Sequence, residues 1–243
     1  MHQTDNVDSA EIARFASMAD LWWDRRGEFK ALHDINPARL AFVCQHIGSP
    51  ADKQVLDVGC GGGLLSEALA ARGARVTGID MAAPALAVAQ AHMRQSGLDI
   101  AYIHTTAEAL ANQSPNSFDA VTCMELIEHV PRPADIVSAC ARLVKPGGDL
   151  FFASVNRTWL SGLLVIFAAE YLLGIVRRGT HHYRKLVRPA QLRQWAHQAG
   201  LTQQHISGLR YLPVGGYAAL CRSTQMNYLM HFKRKDFANV AVG

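Results

Sequence analysis

A short apolar run, Gln54-Val55-Leu56-Asp57-Val58, passes straight into Gly59-Cys60-Gly61-Gly62-Gly63 and then into the helix-forming stretch Leu64–Arg72. That passage constrains the fold more than any other feature. A buried strand that breaks into glycines and resumes as a helix must turn sharply, and its backbone can approach a ligand with no Cβ in the way. A lone glycine loop is weak, because turns use glycine freely; the strand before it and the helix after it give it meaning.

The same period continues downstream. Arg75–Ile79 reads as a strand, Pro84–Ser96 as a helix, Ile100–His104 as a strand and the region near Glu108 as a short helix. Phe118–Cys123, Ala134–Leu143 and Leu150–Ser154 then read as strand, helix and strand, the last preceded by Lys145-Pro146-Gly147-Gly148. This alternation predicts a doubly wound α/β sheet with right-handed crossovers and helices on both faces. Ligands bind such sheets at the carboxyl ends of the strands.

Upstream, Asp8 and Glu11 form a capping-box pattern, followed by Ile12, Phe15, Ala19, Trp22 and Trp23 at helical spacing. Asn36-Pro37 announces a second, short helix through Ala38-Arg39-Leu40. Downstream, Pro189–Ala199 reads as a helix, and Leu201–Gly208 and Gln225–Phe232 as a last antiparallel pair at the sheet edge.

At the end of the second strand stands Asp80, about 20 residues past the first glycine, the distance at which such folds bring an acid onto a ribose hydroxyl pair. Its plainer role would be to cap the helix that follows. The loop separates two cofactor classes. A dinucleotide fingerprint is G-x-G-x-x-G, whereas Asp57-x-Gly59-x-Gly61-x-Gly63 has the spacing of the first motif of class I methyltransferases, which counts against a hydride-transferring dehydrogenase.

Hydrophobic residues make up 49% of the 243 and charged ones 18%, enough apolar material for a sizeable core. The formal charge of +4 is modest and its cations do not line one helical face, so nucleic acid is not an expected partner. Five widely spaced cysteines without a CxxC pair read as reduced thiols. Asp5, Asp8 and Glu11 stand where a secretory leader would be basic, which implies a cytoplasmic chain.

Trp159 to Val176 is apolar apart from Glu170, and Arg177, Arg178, Arg184, Lys185 and Arg188 follow closely. As a helix it would reach about 27 Å. Its position between two strands of one sheet argues against a membrane crossing. It reads instead as a lid over the site or as an interfacial helix whose arginines meet anionic lipid. The second reading implies peripheral attachment to the inner face of the membrane.

Several separated motifs carry a narrower resemblance. Trp22-Trp23-Asp24, Gly27-Glu28-Phe29-Lys30-x-Leu32-His33, Ile35-Asn36-Pro37-x-Arg39-Leu40, the glycine loop, Val121 to Val130 around Met124-Glu125-x-x-Glu128-His129, Val144 to Gly148, and Gly179-Thr180-His181 together resemble the ubiquinone-biosynthesis O-methyltransferase family. The resemblance spans nearly the whole chain. It implies a Rossmann-like class I methyltransferase, with a mostly parallel seven-stranded sheet and one antiparallel edge strand. It also implies one domain over 1–243: helices in 1–48, a cofactor core in 53–155, the insertion in 156–183 and the rest of the sheet in 184–232.

The implied activity is methyl transfer from S-adenosylmethionine to a hydroxyl of a polyprenylated catechol or demethylubiquinol, on a membrane or within a quinone-biosynthesis complex. Other readings are methylation of another small molecule, or a non-catalytic lipid-binding subunit. The resemblance assigns Arg39, Gly59, Asp80 and Met124 to the cofactor, with Gly61 beside them in the loop. Without it Arg39 would read as a surface charge. A phenol oxygen must become an anion to accept the methyl, either through a base or through a divalent cation. On a helical turn Glu125, Glu128 and His129 would point to one side and could hold Mg²⁺, although histidine is softer than that ion prefers. The alternative is that they shape the cofactor pocket. Without metal, His129 is the candidate base, with His181 and His182 as rivals.

Overall fold

The computed structural model describes residues 6–158 and 185–236. The apolar Trp159–Val176 stretch, Arg177, Arg178, His181, His182 and Arg184 lie outside the described residues. Among the described residues no helix is long and apolar enough to cross a membrane.

The alternation folds as expected. Strand β1 (Gln54–Val58), helix α3 (Leu64–Ala70), β2 (Arg75–Asp80), α4 (Ala83–Ser96) and β3 (Ile100–His104) form one half of the sheet. Helix α5 (Ala107–Gln113), β4 (Phe118–Met124), α6 (Pro133–Leu143) and β5 (Val144–Val155) form the other. Their order is β3-β2-β1-β4-β5, all parallel. Direction of winding reverses between β1 and β4, and a crevice opens there at the strand ends.

Successive residues of each strand face opposite layers. Leu56, Val121, Cys123 and Phe152 pack with Leu110, Ile136 and Leu143 on the α5–α6 side. Val55, Val76, Ala120 and Phe151 pack with Phe42, Leu65 and Leu69 on the other. Burial on both faces is why these strands read as continuous apolar runs.

The front of the chain corrects one expectation. Asp8 does cap α1 (Ser9–Ser17), accepting from the backbone N–H of Ala10 and Glu11. Instead of a short helix starting at Asn36-Pro37, however, α2 runs unbroken from Lys30 to Ile47 with Pro37 inside it. Asn36 is no cap; its amide donates to the Leu64 carbonyl at 2.9 Å, so tertiary bonding offsets the backbone bond that Pro37 lacks.

The last third corrects another. After α7 (Pro189–Gln198) come β6 (Leu201–Leu212), β7 (Tyr217–Cys221) and β8 (Asn227–Arg234), making eight strands among the described residues rather than seven. Strand β8 inserts antiparallel between β5 and β6, and β7 adds an antiparallel edge beyond β6. The extra strand is one arm of a hairpin turned by Gly215 and Gly216, both at positive φ. A Gly-Gly pair between apolar runs is a hairpin signal that the sequence did carry.

Candidate active site

Backbone geometry builds one wall of the crevice. Gly59, Gly61 and Gly63 all have φ between +52° and +88°, the left-handed region where a side chain is strained. The amides of Gly59 and Cys60 donate to the Ile79 carbonyl at 2.8 and 3.1 Å, which folds the loop back over the end of β2. Asp80 completes the turn, accepting from the Gly61 N–H at 2.9 Å and from the Ala82 N–H at 2.7 Å. It therefore braces the loop and the start of α4 together, and each oxygen keeps a further lone pair for a ligand. Burial lifts its carboxyl above the ordinary range, against the lowering pull of those amides.

Asp57 works behind this wall. Buried in β1, it accepts from Ser66 Oγ and Thr122 Oγ1, both at 2.7 Å, and so ties β1 to α3 and β4.

The opposite wall comes from α2 and the end of β4. Arg39 is buried and donates through Nη2 to Glu125 Oε1 at 2.9 Å, while its Nε has no hydrogen-bond partner. Glu125 holds φ +55°, uncommon for a residue with a Cβ, immediately after Met124 ends β4. Such strain concentrates at functional sites.

That dihedral also changes the expected Glu125, Glu128, His129 geometry. The helical turn covers only Ile127–His129, so Glu125 lies outside it and the three side chains do not share one helical face. Glu125 turns to Arg39. Glu128 is buried with both carboxylate oxygens unpaired, and burial together with the neighbouring Glu125 pushes it up to about 7. His129 turns its Nδ1 to Glu11 Oε2 at 3.3 Å and packs edge-on to Phe15. Among the described residues these three do not gather their donor atoms within 4.8 Å of one another.

Glu11 was legible only as part of a capping box, yet its carboxylate leaves the helix start. Burial opposes its ionisation, but His129, Arg14 and Lys185 outweigh that and hold it at about 2. Lys185, read from sequence as part of a lipid-facing basic cluster, pairs with Asp8 at 3.0 Å and Glu11 at 3.3 Å. Trp22 was also missed as a site residue: its indole lies on the glycine loop, so close that a Cβ at Gly61 would stand 2.1 Å from the ring. The pattern of tryptophans beside a glycine loop far along the chain carries no signal for that contact.

These walls enclose a cavity of about 700 Å³ that reaches Arg39, Gly59, Gly61, Asp80, Met124, Glu125 and His129. Glu128 does not line it. Its remaining surface is largely apolar, with Phe15, Met18, Trp22 and Phe29 on one side and Leu209 and Met226 on the other. The polar groups divide into an acid at a strand end, a buried guanidinium with a free donor, and an imidazole paired with a carboxylate.

Residues 56–152 match a family described as a methyltransferase domain. Among solved structures, the magnesium protoporphyrin IX methyltransferase of Synechocystis PCC 6803 with bound SAH superposes with a TM-score of 0.65, at 16% identity over 92% of this chain and 94% of that one, a likeness of fold. The ubiquinone biosynthesis O-methyltransferase of Pseudomonas entomophila (strain L48) is 51% identical over 95% of this chain and 99% of that protein. The protein of the same name from Serratia proteamaculans (strain 568) is 48% identical over 94% and 95%. On that likeness across nearly its whole length, the chain belongs to the ubiquinone biosynthesis O-methyltransferase family.

Proposed function

We propose that the chain transfers a methyl group from S-adenosylmethionine to a hydroxyl of a polyprenylated catechol or demethylubiquinol. One observation carries this beyond family membership: a single cavity joins the glycine loop, Asp80 and Arg39 to an apolar chamber in which His129 is backed by Glu11.

The residues fit the donor. Asp80 would take the ribose hydroxyls, and Arg39, with its Nε unpartnered, would take a carboxylate in place of Glu125. Gly59 and Gly61 let the backbone come close, and Met124 adds a polarizable apolar contact. When bound, the donor supplies an already electrophilic methyl on a sulfonium, so the protein has to align an acceptor oxygen and remove its proton.

His129 is the residue we assign to that proton. With Glu11 anionic, its carboxylate 3.3 Å from Nδ1 favours a proton on that nitrogen, and the phenol proton would pass to the other ring nitrogen, Nε2. Glu11 then stabilises the imidazolium, while the chamber of Phe15, Met18 and Phe29 keeps water from competing for the methyl.

A second reading is favoured by the unpaired, buried carboxylate of Glu128 beside Glu125. Glu125, Glu128 and His129 would hold Mg²⁺, which would offset that repulsion and acidify a catechol hydroxyl. The two carboxylates suit the ion and the imidazole suits it less, and the three could converge only once Arg39 released Glu125. In this reading His129 is a ligand.

The deciding experiment is methyl transfer to a short-tailed demethylubiquinol, with EDTA or with Mg²⁺. Turnover supports the assignment, and EDTA resistance selects the His129 reading; no methylated quinol, with a soluble acceptor methylated instead, would overturn it. We further infer a cytoplasmic protein held at the anionic inner face of the membrane by the apolar 159–176 stretch and the arginines after it, where a polyprenyl substrate resides. Deleting residues 160–176 is expected to abolish co-sedimentation with anionic vesicles, and unchanged sedimentation refutes this placement.

A further inference from the structure

Outside the cofactor cavity, three histidines that no sequence motif connects come together. His46 stands one residue before the end of α2, His205 on β6 and His231 on β8. Each offers a ring nitrogen, and these atoms lie within 4.8 Å of one another. None of the three lines the cofactor cavity.

The backbone brings them together by a specific irregularity. In the β6–β8 pairing, Gln203 faces Phe232 and His205 faces His231, so β6 carries one extra residue between them. A bulge of this kind re-aims side chains. Here it sets His205 directly opposite His231, with rings 5.7 Å apart and 4° from parallel. His46 reaches over from the helix layer, its ring 4.3 Å from His205 and 4.9 Å from His231.

Protonation is settled by the outer partners. His46 Nδ1 lies 2.7 Å from the Phe42 carbonyl, which can only accept, so that nitrogen carries the hydrogen and Nε2 keeps a lone pair. His231 Nε2 lies 2.7 Å from Asp149 Oδ1 and donates to it. Its other nitrogen, Nδ1, is buried and has no hydrogen-bond partner. An imidazole with one nitrogen donating to a carboxylate or carbonyl and the other bare is the usual arrangement of a metal ligand. His231 is 3% exposed, His46 is half-buried and His205 is exposed, so the cluster opens to solvent on the His205 side.

We propose that His46, His205 and His231 form a binding site for Zn²⁺, with a fourth position left to water. Three imidazoles suit a borderline-soft d¹⁰ ion that accepts tetrahedral nitrogen sites, and do not suit Mg²⁺ or Ca²⁺, which take oxygen. The site's role follows from its placement. It ties the C-terminal turn of α2 to the two strands β6 and β8, and α2 is the helix that carries Arg39. The ion is a clip that holds this helix on the sheet, and it takes no part in methyl transfer.

The test uses the full-length chain, free of any affinity tag and dialysed against EDTA, titrated with ZnCl₂ in a calorimeter and with Co²⁺ in a spectrophotometer. One Zn²⁺ per chain is expected, with tetrahedral Co²⁺ absorption bands and a rise in thermal midpoint on Zn²⁺ addition. His205→Ala, at an exposed position, should abolish all three signals while its S-adenosylhomocysteine affinity stays as in the parent. Asp149→Asn should weaken Zn²⁺ by about 10- to 100-fold by removing the partner that orients His231. The double variant His181→Ala/His182→Ala controls for the adjacent histidine pair elsewhere in the chain and should bind as the parent does. Absence of binding at micromolar Zn²⁺, a His205→Ala protein with parental stoichiometry and affinity, or loss of Zn²⁺ in the double variant would each overturn the proposal.

Discussion

The parallel half of the sheet and its antiparallel flank build sites in opposite ways. In β1, β2 and β4 the functional groups sit at strand ends, and each is delivered by a short continuous run: Asp57 to Gly63, Val76 to Asp80, Val121 to His129. In β6 and β8 the groups sit mid-strand, and His46, His205 and His231 meet only through antiparallel register and one bulge. The first kind of site depends on backbone conformation at a turn, the second on which strand lies beside which. Variants at the strand ends of the parallel half should therefore disturb cofactor and turnover, and variants at the flank histidines His205 and His231 should spare both.

The sharpest way to break that contrast is His129→Ala. Loss of a general base predicts a fall in kcat of about 10²–10⁴-fold, with S-adenosylhomocysteine affinity in calorimetry nearly unchanged. A kcat within twofold of the parent would move the base elsewhere. Next comes Asp80→Ala, which removes a carboxylate that also braces the loop through Gly61 and Ala82. A cost of about 2–5 kcal/mol in cofactor binding, or about 30-fold and more, is expected; parental affinity refutes the ribose assignment.

Gly61→Ala should act on the backbone itself. The residue has φ +52°, and the added methyl would meet the Trp22 ring at 2.1 Å, so a stability loss of about 1–3 kcal/mol should show in denaturant unfolding. An unshifted midpoint would mean that the indole moves aside freely.

The smallest effect lies where the two regions join. Asp34 on α2 accepts from Tyr211 on β6 at 2.9 Å and pairs with Lys30. Its partial burial opposes ionisation, yet Lys30 and Tyr211 outweigh it and set the carboxyl below its ordinary value. A lowered folded pKa means stability that is present above the unfolded carboxylate pKa and lost as pH falls through the folded one. For a partly exposed pair the Asp34→Asn cost should be under about 1 kcal/mol. It should shrink between about pH 6 and pH 3, as thermal unfolding at both can establish; a difference that grows in acid would reverse the sign.

Legibility followed the same divide. The glycine loop, Asp80 and the strand–helix alternation were readable because helix, strand and turn preferences are local, and the buried parallel strands announce themselves as apolar runs. Arg39 was separable from a surface charge only by resemblance, since nothing near it in sequence says that Glu125 lies beside it. Glu125, Glu128 and His129 shared a face only on the assumption of a continuous helix, and one left-handed residue removes it.

From the chain alone came the layered α/β architecture, the glycine loop and the acid at the end of β2, because each is decided by a few neighbouring residues obeying backbone sterics. The tertiary structure alone decided the insertion of β8 between β5 and β6, the Glu11–His129 pair and the three-histidine cluster. These depend on contacts between residues tens to hundreds of positions apart. Their geometry is set by how sheets pair and layers pack, and no local pattern encodes it.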